Sequence, residues 1–140
     1  MRRRRIAALT GAAALLGLAG APWATSPVSA ADLVYVTTPG AVATTFTPPV
    51  LVIRAGDNVT YANADIAPHD VVATVKGPDA PWCAAEGFEP GKCPLFWTPT
   101  ITVGQTTPII GLDRVKPGDQ IPFICTLHAN MDGTLVVLPA

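Results

Sequence analysis

From residue 33 onward the apolar positions fall into short runs of five to eight residues, alternating with polar positions or dominated by β-branched side chains. The runs are "LVYVT" at 33–37, "VLVIR" at 50–54, "VTYAN" at 59–63, "DVVATV" at 70–75, "PIIGLDRV" at 108–115, "QIPFIC" at 120–125 and "TLVVL" at 134–138. Between them lie "AGDN", "KPGDQ" and "MDG", whose Gly, Asp and Asn residues suit the backbone angles of tight turns. Thirteen prolines after residue 30 leave no credible helix. Short strands at this spacing predict an all-β antiparallel sandwich or barrel in one domain, with no internal repeat. Pro122 removes a backbone donor from its run, so that strand is expected to be exposed or bulged there.

The segment 76–107 breaks the pattern. It holds "GPDAPW", "EPGKC" and "FWTPT", and reads as a long irregular excursion. Its cysteines, Cys83 and Cys93, can bridge each other in an oxidising compartment and staple it, the alternative being that they bind metal. Its aromatic residues, Trp82, Phe88, Phe96 and Trp97, are expected to form a small core that seats the excursion on the sandwich.

The first thirty residues belong to a different class of sequence. Four arginines, Arg2 to Arg5, precede an apolar run from Ile6 to Ala21, and Val28-Ser29-Ala30 resembles a small-residue cleavage site. This is the pattern of a secretory signal peptide over 1–30, with a domain at 31–140 exported to a periplasm or to the extracellular and cell-surface space. No membrane anchor is expected after cleavage. Residues 31–140 carry five basic residues against ten acidic ones, a formal charge of −5 with histidine neutral. That balance, without a Lys/Arg cluster, argues against nucleic acid and anionic membranes and in favour of partners with a basic patch.

Cys125 is then left unpaired in an exported chain, a liability unless the thiol has a task. It stands at the end of a predicted strand in "CTLHANM", where Cys125, His128 and Met131 recur every third residue. The one other histidine, His69, precedes the run at 70–75 in "NADIAPHDVVATV". A soft thiolate, two imidazoles and a weak thioether are the donor set of a blue copper electron-transfer site. A loop between adjacent strands can wrap one ion with three such residues, while the fourth comes from a strand end elsewhere.

Two stretches, "AGDNVTYANADIAPHDV" at 55–71 and "KPGDQIPFICTLHANMDGTLVV" at 116–137, resemble the small blue copper proteins, or cupredoxins, and within them the amicyanin, pseudoazurin and plastocyanin-like group. The resemblance implies a Greek-key β-sandwich with one type 1 copper ion, His69, Cys125 and His128 as close ligands and Met131 as a long axial one. It also implies that the edge of His128 is the port for the electron, with Pro68, Leu127 and Ala129 around it. Asp70 stands where this family often has asparagine. Its backbone N–H is expected near the Cys125 sulfur and its side chain on Thr126.

These readings make the chain a soluble, monomeric, exported electron carrier for redox partner proteins. Donor and acceptor are both open. A copper storage or delivery protein is the alternative, disfavoured because no exposed Met- or His-rich run exists. A copper enzyme would require further histidines for a second centre, and both histidines are already committed.

Overall fold

The computed structural model describes residues 30–37 and 45–140, so the expected leader, Ala30 apart, lies outside the described residues. Among the described residues seven strands form two sheets. They are β1 (Asp32–Thr37), β2 (Thr45–Arg54), β3 (Asn58–Asn63), β4 (Val72–Ala73), β5 (Thr106–Pro108), β6 (Gln120–Ile124) and β7 (Asp132–Leu138). One sheet has the order β1-β3-β5, the other β2-β7-β6-β4. The expected all-β sandwich is therefore present, but it is not purely antiparallel, because β1 pairs with β3 and β2 with β7 in parallel. The chain crosses from one sheet to the other at the turn after Arg54, so β1 and β3, on either side of β2, run in the same direction within one sheet.

Inward-facing residues of both sheets close a single core. Tyr35, Phe46, Tyr61, Phe96, Phe123 and Leu135 are all 3 % exposed or less. Phe123 is its hub, edge-on to Tyr35 at 5.9 Å and to Phe46 at 5.0 Å between ring centroids. The hydroxyls sunk with these rings are satisfied. Tyr35 donates to the Pro48 carbonyl at 2.6 Å, and the Tyr61 hydroxyl lies 2.6 Å from that of Thr37.

Several expected boundaries move, each for a local reason. The run 108–115 is not a strand beyond Pro108. Gly111 takes φ +94° and a 3₁₀ turn, Leu112–Arg114, follows. A Cβ at Gly111 would lie 2.9 Å from Arg114 Nη2, where the Arg114 guanidinium donates to the carbonyls of Pro78, Pro94 and Leu95. The run 70–75 shrinks to β4. The Pro122 carbonyl accepts the Thr74 N–H at 3.0 Å, but proline has no N–H to return the bond, so regular pairing stops at Ala73. Pro122 itself is exposed, as expected. Gly133, in the expected "MDG" turn, lies inside β7 opposite Phe123. The turn falls instead at Asn130, with φ +64°.

The excursion is more ordered than its composition suggests. It holds one helical turn, α1 (Pro81–Ala85), where no helix was expected. Pro81 supplies a preset φ at the first helical position and lacks the N–H that would go unsatisfied there. A disulfide joins Cys83 in α1 to Cys93, with 5.7 Å between Cα atoms. Trp82, Phe88 and Trp97 form the expected small core, Trp82 stacking on Trp97 at 6.1 Å beneath the Arg114 guanidinium. Phe96 does not join them. It is fully buried in the main core, 6.2 Å from Phe123. Residues 94–101 then make isolated bridges to Lys76, Val72 and His69, so the end of the excursion serves as a brace for the segment that starts with His69.

Two expected outcomes follow from this architecture. A Cβ at Gly133 would lie 2.6 Å from Phe123 Cε2 and 2.9 Å from the Pro49 carbonyl, so Gly133→Ala should destabilise the domain by about 1–3 kcal/mol in urea unfolding. The second concerns Asp57, whose carboxylate accepts the N–H of Ala31 at 2.8 Å and of Arg54 at 2.7 Å. These two bonds, Ala31's first, hold its pKa below the ordinary carboxylate value. A depressed folded-state pKa contributes stability that is present above the unfolded value of about 3.9 and is lost as pH falls through the folded one. Asp57→Ala should therefore lower Tm at neutral pH, and the deficit relative to the parent should shrink in acid; a deficit independent of pH would refute this.

Candidate metal centre

The first arm of the site is built where β3 ends. Asn63, 1 % exposed, organises the loop after it. Its side-chain N–H groups donate to the carbonyls of Ala67 at 2.7 Å and Ile101 at 3.1 Å, and its side-chain oxygen accepts the Asp65 N–H at 2.9 Å. The chain then reaches His69 with its backbone already constrained. His69 donates its N–H to the Ile101 carbonyl at 3.0 Å and accepts the Ile101 N–H at 2.9 Å. Its ring is fully buried, with Nε2 turned to the Asp65 carboxylate at 3.0 Å.

The second arm is the loop between β6 and β7. Cys125 donates its N–H to the Met131 carbonyl at 2.9 Å, and Met131 donates to the His128 carbonyl at 3.3 Å. The loop thus closes on itself, with Asn130 in the left-handed region that asparagine tolerates. Asp70 ties the arms together. Its carboxylate accepts the Thr126 N–H at 2.7 Å and the Thr126 hydroxyl, the contact anticipated from the sequence.

Three of the four expected site residues meet directly. Cys125 Sγ lies 3.4 Å from His128 Nδ1 and 3.8 Å from His69 Nδ1, and one donor atom from each residue falls within 4.8 Å of the others. Met131, 1 % exposed, begins the return into β7 and borders the same hollow as Cys125 and His128. Cys125 and His69 are buried, whereas His128 is half-buried. The thiol of Cys125 is pushed above its ordinary pKa by burial, and the backbone N–H groups of Asp70 and Leu127 pull the other way. Those two N–H groups favour a thiolate once a cation compensates for its burial. The pull of the Asp70 N–H on the thiol agrees with its expected placement near the sulfur.

Sequence reasoning missed Asn63 and Asp65. The signal was available in the interval from Asp65 to His69, four residues apart in "NADIAPH", yet an acidic residue in a loop ordinarily faces water. Ile66 was missed as well. It is 84 % exposed on the His69 arm, and Leu127 is 49 % exposed on the other.

No family model and no curated protein sequence matches this chain. Solved structures do. A mutant amicyanin in its reduced state is 23 % identical, with TM-score 0.52 over 76 % of this chain and 81 % of its own. The Cu(I) form of another amicyanin mutant is 23 % identical, with TM-score 0.52 over 79 % and 86 %. A purple cupredoxin from Nitrosopumilus maritimus is 20 % identical, with TM-score 0.53 over 76 % and 99 %. At such identities the likeness speaks for architecture, and on that measure the chain has the cupredoxin fold.

Proposed function

We propose that this chain is an electron carrier in which His69 Nδ1, Cys125 Sγ and His128 Nδ1 would hold one copper ion, with the Met131 thioether as a further, weaker donor. The convergence of two imidazole nitrogens on one thiol sulfur carries this reading. Separations of 3.4 and 3.8 Å are spans that a single ion can bridge with bonds of about 2.0–2.3 Å. The softness of the set, a thiolate and a thioether beside two imidazoles, favours copper over zinc. Bound there, copper supplies a one-electron couple between Cu(I) and Cu(II).

The chain's part is to keep the donors still. Each arm is fixed through backbone hydrogen bonds, His69 by Ile101 and Cys125 by Met131, so neither needs to move when the charge at the centre changes by one. Small rearrangement means a small barrier to transfer. The half-buried edge of His128 is the port, and both arms carry exposed apolar residues, Ile66 and Pro68 on one, Leu127 and Ala129 on the other. A partner docking there excludes water and brings its own centre near the imidazole. The acidic balance of residues 31–140 suits a redox partner with a basic patch. Export is supported by the leader pattern and by the Cys83–Cys93 bond, and among the described residues no helix is long and apolar enough to cross a membrane.

Copper titration of the purified chain should end at one ion per chain with an intense blue or green charge-transfer band. Cys125→Ser should remove the band while the unfolding transition of the metal-free domain persists, and a colourless zinc protein that refuses copper would overturn the assignment. Because burial raises the Cys125 pKa, uptake must displace a thiol proton, and apparent affinity should weaken as pH falls. Asp70→Asn tests the second carboxylate. Removing a negative charge near the sulfur disfavours Cu(II), so the reduction potential should rise by on the order of 40 mV or more, which is about 1 kcal/mol or more for one electron. An unchanged or lower potential by voltammetry would contradict it.

A further inference from the structure

The Asp65 carboxylate behind His69 is a buried acid that packing does not explain. Asp65 is 1 % exposed and His69 not at all. Carboxylates are almost never fully buried unless paired. This one accepts the Ile66 N–H at 2.8 Å and faces His69 Nε2 at 3.0 Å. We propose that Asp65 is the positioning residue for His69: it accepts the Nε2–H, which leaves the Nδ1 lone pair facing the Cys125 sulfur, and its charge biases the centre toward the oxidised state. This rests on the copper reading for its second half only.

The argument begins with the tautomer. A neutral imidazole carries one proton, and the nitrogen that holds it is set by the partner of the other. An ionised carboxylate can only accept, so it fixes the proton on Nε2 and frees Nδ1. The opposite arrangement requires a protonated Asp65 donating to Nε2 and an Nδ1–H pointing into the site, where it would block the metal. Asn63 makes the first arrangement durable. By holding the Asp65 N–H, the Ala67 carbonyl and the Ile101 carbonyl together, it fixes the loop from which the carboxylate is presented and the Ile101 backbone that bridges His69. An outer partner that holds the second nitrogen also makes the first a better donor, and negative charge so close stabilises the more highly charged ion.

A series of two variants separates position from charge. In the metal-free parent chain near pH 9, well above the ordinary imidazole range, nitrogen NMR should show His69 as the Nε2–H tautomer by at least about tenfold; a predominant Nδ1–H form overturns the proposal. Asp65→Ala leaves the buried Nε2–H without this acceptor, and should mix the tautomers and weaken Cu(I) affinity by about 10–100-fold. Asp65→Asn keeps an acceptor oxygen without the charge. It should retain the tautomer and hold Cu(I) affinity within a few-fold, while Cu(II) affinity falls about tenfold further, which is a rise of about 59 mV in potential. Equal losses for both oxidation states in Asp65→Asn would remove the charge effect, and affinities within twofold of the parent in both variants would reduce Asp65 to a structural residue. Should Asp65→Ala fail to fold, the parent tautomer and the Asn variant still decide the matter. Absence of copper uptake by the parent would sink the proposed function, whereas the tautomer of the metal-free chain judges Asp65 separately.

Discussion

Two segments separated by 56 positions have to meet for the centre to exist, and the Asp70 carboxylate is what joins them. It receives both the amide and the hydroxyl of Thr126, so one side chain fixes the offset between the His69 arm and the Cys125 loop. Directional bonds of this kind set relative position in a way that apolar contact does not, since hydrophobic attraction has no preferred angle. The sulfur is affected too, because the Asp70 backbone N–H lowers the pKa that burial raises.

The rest of the sandwich transmits rigidity to that junction. Phe123 lies two residues before Cys125 and is held by Tyr35, Phe46 and Phe96 around it, with the bare Cα of Gly133 facing it across the β6–β7 pair. Tilting β6 would therefore disturb rings from both sheets. On the other arm the brace comes from the excursion, through Ile101 against His69 and Trp97 against Val72. The disulfide and the Trp82–Phe88–Trp97 cluster anchor the far end of that brace, so a region of irregular composition helps to hold the backbone of His69 in place.

The strands with clear alternation, at 33–37, 59–63 and 120–125, were legible from pattern because each buries one face and exposes the other, and the meeting of His69, Cys125 and His128 was legible because such residues are scarce in so small a chain. Other features depend on tertiary contacts with no periodic trace. The run 108–115 is apolar enough for a strand, but the Arg114 guanidinium requires the chain to turn at Gly111 in order to reach three carbonyls. β2 begins at Thr45, before two prolines that a pattern reading treats as breakers, since an edge strand tolerates missing donors on its outer side. Asp65 was hidden for a different reason. Its meaning depends on a ring four residues later turning inward, and no local propensity encodes that.

The bond between the Ala31 amide and Asp57 takes on another meaning if the chain is cut after Ala30, as the leader pattern anticipates. The donor is then no longer a peptide N–H but a free α-ammonium, and the contact becomes an ion pair between the new chain terminus and a carboxylate that already caps the turn after β2. A chain that still carries its leader has the hydrogen bond without the charge. Processing would in that case strengthen the attachment of β1 to its sheet, giving the exported form a thermodynamic advantage over its precursor that owes nothing to the metal.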